Sequence, residues 1–261
     1  MIDQSALAAL EWQIEMGATE AICERPINRY EEPVKAPKLK ITPESNIQPV
    51  TEMPPVIEQS APEVAGLLAA QCDSLEALKD AIGTFELCAL KKGARHTVFS
   101  DGQPSARVMV IGEAPGREED RQGKPFVGDA GQLLDKMFNA IGLGRDHMGD
   151  TALYITNVMP WRPPQNRDPS LEEIQMMLPF LKRHIELVDP EMLVLMGNTA
   201  CNAVLGRTGI TRLRGQWQEF MGRPVMPMFH PAFLLRDASR KKAAWEDLQT
   251  IQARLGGGNG D

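Results

Sequence analysis

Polar side chains follow four short apolar runs of the chain. The runs are RVMVIG (107–112), ALYITN (152–157), EMLVLM (191–196) and PVMPMF (224–229), and the polar residues at or just after their ends are Glu113, Asn157, Asn198 and His230. In open α/β sheets the ligand crevice lies at the carboxyl ends of the strands. Each residue alone is explained by a capping or turn role. Their joint placement at one edge of a sheet favours a binding or catalytic site.

The loop that begins at Gly112 is not a nucleotide-binding loop. It reads GEAPGREED and matches neither G-x-G-x-x-G nor G-x-x-x-x-G-K-[ST], and its three consecutive carboxylates at 118–120 would repel phosphates. Glu113, Glu119, Asp120 and His230 have the side-chain types of a divalent-metal site. No spacing among them selects a metal, so we expect none.

The four apolar runs alternate with amphipathic helical stretches. This alternation is typical of βαβ units and a largely parallel sheet. It predicts an α/β fold, a three-layer α/β/α sandwich with a mostly parallel four-stranded central sheet.

The front of the chain differs from the rest in composition. We expect a helical segment in residues 1–25 and a mobile, proline-rich, acidic linker in 26–62, because 26–62 contains eight prolines and no glycine. The compact domain is expected to span 63–261.

The composition of the 261 residues, 43% hydrophobic and 24% charged, is that of a globular protein. There is no apolar run of the ~18 residues that a membrane span needs, so we expect a cytoplasmic protein. The four cysteines are far apart and predict neither a disulfide framework nor a zinc ribbon.

The net charge of −7 is unevenly distributed. Residues 1–82 carry 14 acidic and six basic side chains, whereas 206–242 carry eight basic and two acidic ones. A basic excess of this kind suits a phosphate backbone, although charge alone favours the explanation of a solvated basic surface.

Three motifs together resemble the family-4 type of uracil-DNA glycosylase. They are GEAPGREEDRQGKPFVGDAGQLLDKM (112–137), YITNVMPWRPPQNRDPSLEEI (154–174) and HPAFLLR (230–236). The match covers roughly 83–255 in the family's order and spacing. It implies a monomeric enzyme that flips uracil out of DNA and hydrolyses its N-glycosidic bond to start base-excision repair, with uracil-containing DNA as its partner.

The resemblance assigns the base pocket to four residues. Phe126 would stack on the uracil ring, and the Asn157 amide would match O4 and N3–H of uracil, where cytosine presents the opposite pattern. Ala114 and Gly116 would complete the pocket.

The same resemblance implies four catalytic residues. His230 would hydrogen-bond uracil O2 as negative charge develops on the leaving base. Glu119 and Asn166 would orient the attacking water, and Glu113 would serve mainly through its backbone.

DNA contacts are implied on two loops and one helix. The apolar pair Leu234 and Leu235 suits a wedge that fills the space left by the flipped base. The phosphate contacts would be Arg162, Arg167, Arg236, Arg240 and Lys241.

The chain departs from the family at the positions of a [4Fe–4S] cluster. Four cysteines would be needed, and the corresponding residues are Phe85, Cys88, Trp161 and Met177. We therefore expect no metal and no cofactor, and we expect the three apolar side chains to pack in place of the cluster.

Two alternatives stay open at this point. The chain could be a non-catalytic protein that binds uracil or abasic sites, or a glycosylase for another deaminated base, hypoxanthine or xanthine.

Overall fold

The computed structural model describes residues 60–257. Within this range the six strands are β1 (Ser100–Gly102), β2 (Val108–Gly112), β3 (Leu153–Asn157), β4 (Met192–Met196), β5 (Gln218–Phe220) and β6 (Arg223–Met228). The helices are α1 (Ala61–Ala70), α2 (Leu75–Thr84), α3 (Arg117–Gln122), α4 (Asp129–Asn139), α5 (Leu171–Val188), α6 (Gly197–Leu205), α7 (Ile210–Leu213), α8 (Pro231–Arg236) and α9 (Lys241–Gly256).

All six strands form one mixed sheet in the order β1-β3-β2-β4-β6-β5. The four central strands are parallel and are the four that the sequence predicts, within about one residue at each end. The prediction of a four-stranded sheet is wrong, because β1 and β5 add antiparallel edges. Each edge strand has only three residues, SDG and QEF, and neither contains the apolar run that marks a buried strand.

The sheet separates two apolar cores, so the three predicted layers are present. On one face Met109 and Ile111 of β2 pack with α1, α2, α5 and α6. On the other face Val108 and Val110 pack with α4, α8 and α9. Strands β2, β3 and β4 are buried along their whole length, which explains their nearly continuous apolar sequences.

The first described helix begins earlier than the expected domain boundary. Ser60 caps α1 in a capping box with Glu63, so the helix includes the last two residues of the predicted linker. The rest of that linker and the predicted helical segment 1–25 lie outside the described residues. Among residues 60–257 no helix is both long and apolar enough to span a bilayer.

The turn from β4 into α6 positions one side of the site. The helix starts at Gly197, whose φ of +90° is a conformation that glycine adopts readily. Asn198 does not cap α6. Its Oδ1 accepts hydrogen bonds from the backbone N–H groups of Gly209 and Ile210, where α7 starts.

Candidate active site

A pocket of about 170 Å³ lies at the carboxyl ends of β2, β3 and β6. Its walls include all eight residues expected to form the base pocket or to act in catalysis: Glu113, Ala114, Gly116, Glu119, Phe126, Asn157, Asn166 and His230. An adjoining groove of about 550 Å³ shares Glu113, Asn166 and His230 with it. The strand ends therefore converge as the sequence predicts.

The amide of Asn157 is the unusual group in this pocket. Asn157 ends β3 directly opposite Gly112 of β2 and is only 7% exposed. Its Nδ2 is the single buried side-chain nitrogen or oxygen in the described part of the chain that has no hydrogen-bond partner. Since an unsatisfied buried donor costs about 1–3 kcal/mol, a ligand acceptor at this point would recover that cost.

Phe126 forms the wall beside this amide. Its backbone is left-handed, with φ of 53°, and its ring lies 5.5 Å from the His230 ring at an interplanar angle of 27°. A Cβ at Gly112 would overlap both the Phe126 ring and Asn157 Oδ1, and a Cβ at Gly131 would overlap the Phe126 carbonyl. Both glycines are needed for the pocket, a role that no motif in the sequence indicated.

Arg145 holds the Phe126 loop through two backbone carbonyls, a contact that the sequence alone did not indicate. Its guanidinium donates to the carbonyl oxygens of Pro125 (3.0 Å) and Phe126 (2.8 Å). The same side chain pairs with Asp101 and Asp135 and is 10% exposed. These contacts hold the left-handed backbone of Phe126, from which the ring extends.

Glu119 joins the two loops that enclose the pocket. One carboxylate oxygen accepts from the backbone N–H of Gly116 at 3.1 Å. The other accepts from Val127 and Gly128, both at 2.9 Å. Both oxygens are therefore bound to backbone amides, contacts that the expected role of orienting the attacking water did not include.

His230 is a neutral hydrogen-bond donor. Its Nδ1 accepts from the backbone N–H of Ala232 at 3.1 Å, so the ring proton lies on Nε2. Burial, with a smaller contribution from the positive charge of Arg236, lowers the pKa of His230 to about 4. At physiological pH the imidazole is therefore uncharged, and its Nε2–H has no partner among the described residues.

The Glu113 side chain takes part in the site directly. Its Oε2 accepts from the hydroxyl of Thr199 at 2.6 Å, and the carboxylate lines both the pocket and the groove. Burial raises the pKa of Glu113; the Thr199 hydrogen bond opposes this rise, and the negative charge of Asp168 adds to it. These side-chain contacts were not part of the expectation that Glu113 serves mainly through its backbone.

Asn166 lies on an exposed turn at the mouth of the pocket. Gln165 and Asn166 both have left-handed backbones, with φ of 56° and 55°. Asn166 Oδ1 accepts from Arg162 Nε at 2.7 Å, and within the described residues the other side of this amide is open.

The sequence signature of the Uracil DNA glycosylase superfamily matches residues 99–249, which contain the whole pocket. The chain belongs to this superfamily. It is 36% identical over 190 residues to the type-4 uracil-DNA glycosylase of Sulfurisphaera tokodaii, an alignment that covers 69% of this chain and 84% of that protein. The type-4 enzyme of Thermotoga maritima is 34% identical over 69% of this chain and 93% of its own length. That of Archaeoglobus fulgidus is 37% identical over 69% and 92%.

Of the two leucines expected to form the DNA wedge, one is exposed and the other is buried. Leu235 is 49% exposed on α8, whereas Leu234 is 1% exposed and packs in the core beneath. Leu234 therefore cannot act as a wedge. A six-residue helix gives too few turns for the sequence to show which of two adjacent leucines faces inward.

The basic side chains expected to contact DNA phosphates also differ from one another. Arg167 forms a two-point ion pair with Glu173 and is not a free phosphate contact. Arg240 pairs with Asp237 at 3.4 Å, and Arg236 is exposed beside the groove. Lys241 lies at the start of α9, next to an apolar groove that includes Trp245.

The four residues that the resemblance places at an iron–sulfur cluster have side chains that do not suit one. Phe85, Cys88, Trp161 and Met177 are all buried in the same apolar core, each 2% exposed or less. Cys88 is the one thiol among them, and burial raises its pKa, which disfavours the thiolate that iron requires. Among the described residues no group of three or more His, Cys, Asp or Glu side chains could hold a metal.

Proposed function

We propose that this chain is a monomeric uracil-DNA glycosylase that flips uracil out of DNA and hydrolyses its N-glycosidic bond. This proposal is carried by Asn157 Nδ2, which is buried between the Phe126 ring and the strand ends and finds no partner in the part of the chain that the structure describes. Uracil presents an acceptor, O4, next to a donor, N3–H, and a side-chain amide can satisfy both. The names of the superfamily relatives support the same substrate.

The pocket would favour uracil over cytosine through that amide. Cytosine places an amino donor where uracil has O4, so Nδ2 would face another donor and remain unsatisfied. Sites that leave a buried polar group unpaired reject the wrong ligand strongly. The Phe126 ring would stack on either base and would add affinity without selectivity.

His230 would stabilise the leaving base. When the bond between N1 and C1′ breaks, its electron pair stays on the base, and negative charge spreads to uracil O2. A neutral Nε2–H is already oriented as a donor, since the Ala232 contact fixes the tautomer. A preorganised donor of this kind contributes about 3–4 kcal/mol to transition-state stabilisation in other enzymes.

Glu113 would act on the sugar side of the bond. Its carboxylate would stabilise the positive charge that develops at C1′ and would accept a proton from the water that attacks this carbon. The open side of the Asn166 amide would help to hold that water. Glu119 would act as a positioning residue, because its two oxygens hold the pocket loops together.

DNA would be held by fewer residues than the motif alone implies. Leu235 would fill the space of the flipped base, and Arg162, Arg236, Arg240 and Lys241 would contact phosphates. We propose that no iron–sulfur cluster is bound and that Phe85, Trp161 and Met177 replace it by apolar packing. Purified protein would then lack iron–sulfur absorbance, and stoichiometric iron would contradict this part of the proposal.

The test is excision from oligonucleotides that contain a single uracil, hypoxanthine, xanthine or cytosine, followed by alkaline cleavage of abasic sites. Cleavage at uracil is expected. Tight binding without cleavage would support a non-catalytic binding protein instead, and cleavage at hypoxanthine or xanthine alone would identify a different base. We also propose that the enzyme is cytoplasmic and works as a monomer. In gel filtration a monomer should elute at the mass of one chain.

Asn157→Asp tests the base-reading amide within the same assay. The carboxylate cannot donate to uracil O4 but can accept from the cytosine amino group, so uracil excision should fall and cytosine excision should appear. Unchanged uracil excision would remove Asn157 from the pocket.

A further inference from the structure

We infer that Thr199 is a positioning residue for bond hydrolysis, because its hydroxyl holds the Glu113 carboxylate with one oxygen left free toward the groove. This inference rests on the proposed glycosylase function. The hydrogen bond from Thr199 Oγ1 to Glu113 Oε2 is 2.6 Å long, and Thr199 is 9% exposed. No described residue donates to the second oxygen, Oε1.

The fold brings these two side chains together from distant parts of the sequence. Glu113 follows β2, and Thr199 lies in the first turn of α6, immediately after β4. The two strands are parallel neighbours, with Ile111 paired to Leu195. The tight turn at Gly197 starts α6 without an intervening loop, so the hydroxyl is placed by the sheet itself.

The direction of the hydrogen bond determines its chemical effect. The hydroxyl donates to the carboxylate, which favours the ionised form of Glu113 that the reaction requires. Burial and the negative charge of Asp168 act against ionisation and raise the pKa of Glu113. Other charged or titratable groups lining the pocket or the groove are Glu119, Arg167, His230 and Arg236.

Loss of the hydroxyl should therefore have two separable effects. The carboxylate would be harder to ionise, so excision would need a higher pH. It would also be free to rotate, so the rate would stay low even where Glu113 is fully ionised. A side chain that only supports the fold would cause neither change in the pH profile.

The experiment measures single-turnover excision of uracil against pH for the wild type, Thr199→Val and Thr199→Ser. Thr199→Val should shift the acid limb toward higher pH and slow excision by about tenfold near neutral pH, the effect of losing one hydrogen bond to a charged group. Thr199→Ser keeps the hydroxyl, so both its acid limb and its excision rate should match those of the wild type. A Thr199→Val profile that matches the wild type in limb and plateau would overturn the inference.

Thr156→Val is the matched control. Thr156 is 2% exposed, and its hydroxyl donates to the carbonyl of Phe99 at 2.7 Å, away from Glu113. This variant should lose stability without moving the acid limb, so a shift of equal size in it would also overturn the inference. If Thr199→Val does not fold, Thr199→Ala is compared with Thr199→Ser in the same way.

The wild-type measurement separates this inference from the proposed function. A wild type that excises no uracil at any pH refutes the proposed function. An active wild type with an insensitive Thr199→Val refutes only the role of Thr199.

Discussion

The base pocket and the apolar region of Phe85, Cys88, Trp161 and Met177 are joined by the loop after β3, yet they are built differently. Around the pocket, Asn157 Nδ2 has no partner within residues 60–257, the Phe126 backbone is left-handed, and burial raises the pKa of Glu113. Each of these features costs folding free energy. The pocket is arranged for a ligand that satisfies it.

The apolar region shows the opposite arrangement. Its four side chains are buried, and the indole N–H of Trp161 donates to the Thr97 hydroxyl at 3.1 Å. Phe85 packs edge-on against Phe180, with ring centroids 5.3 Å apart. We infer that packing in the apolar region stabilises the loop whose far end carries Asn166. The favourable free energy of this packing offsets the cost of the unsatisfied and strained groups in the pocket.

Removal of Trp161 should have the largest effect. Trp161→Ala leaves a large cavity and should reduce the free energy of unfolding by about 3–5 kcal/mol, measured by denaturant titration. Excision should also slow, because the loop carrying Asn166 loosens. Trp245→Ala is the control: this side chain is 41% exposed and should cost much less. Equal losses in the two variants would refute a stabilising role specific to this region.

Removal of the Glu113 charge should lower the excision rate but, unlike the loss of Trp161, should increase stability. Glu113→Gln should lower the excision rate by about 100- to 1,000-fold. It should also raise the melting temperature at high pH. The folded-state pKa of Glu113 is raised, so its ionised form destabilises the fold as pH rises through that pKa, and glutamine removes this penalty.

Melting curves at about pH 4 and about pH 8 check the sign, since the advantage of the Gln variant should grow with pH. Glu186→Gln on the surface of α5 is the matched control. A Gln variant that is fully active, or that is less stable at high pH, would contradict this view of Glu113.

Loss of Arg145 should weaken the pocket without emptying the core. Arg145→Ala frees the carbonyls of Pro125 and Phe126, so uracil excision at low substrate concentration should fall by about tenfold. Arg107→Ala removes an ion pair with Glu191, next to the start of β4, and should leave excision unchanged. An Arg145 variant with wild-type kcat/KM would show that the glycines and Glu119 alone hold the Phe126 loop.

The two adjacent leucines of α8 should give the smallest effect on excision and the clearest contrast. Leu235→Ala should slow excision from duplex DNA by a few fold, leave single-stranded substrate less affected, and hardly change stability. Leu234→Ala should instead cost about 2–5 kcal/mol of stability, because it opens a cavity in the core. Identical behaviour of the two variants would exclude Leu235 as the wedge.

The sequence by itself determined the parts of this protein that depend on local pattern. Continuous apolar runs identified the four central strands, and the residues at their ends identified Glu113, Asn157 and His230 as neighbours, because parallel strands share an edge. The motifs identified the superfamily. The edge strands β1 and β5 were not predicted. Each has three residues that are mostly half-exposed, which is too short a segment to show the alternation of apolar and polar side chains that marks a strand.

Only the tertiary structure decided which side chain does what within the site. Arg145 reaches the carbonyl of Phe126 from 19 residues away, and Thr199 reaches Glu113 from 86 residues away. It also assigned Glu119 to backbone amides, Arg167 to an ion pair and Leu234 to the core. These roles depend on the distances between side chains and on which of several possible partners each one contacts. Both are set only when separate elements pack together, so the local sequence cannot reveal them.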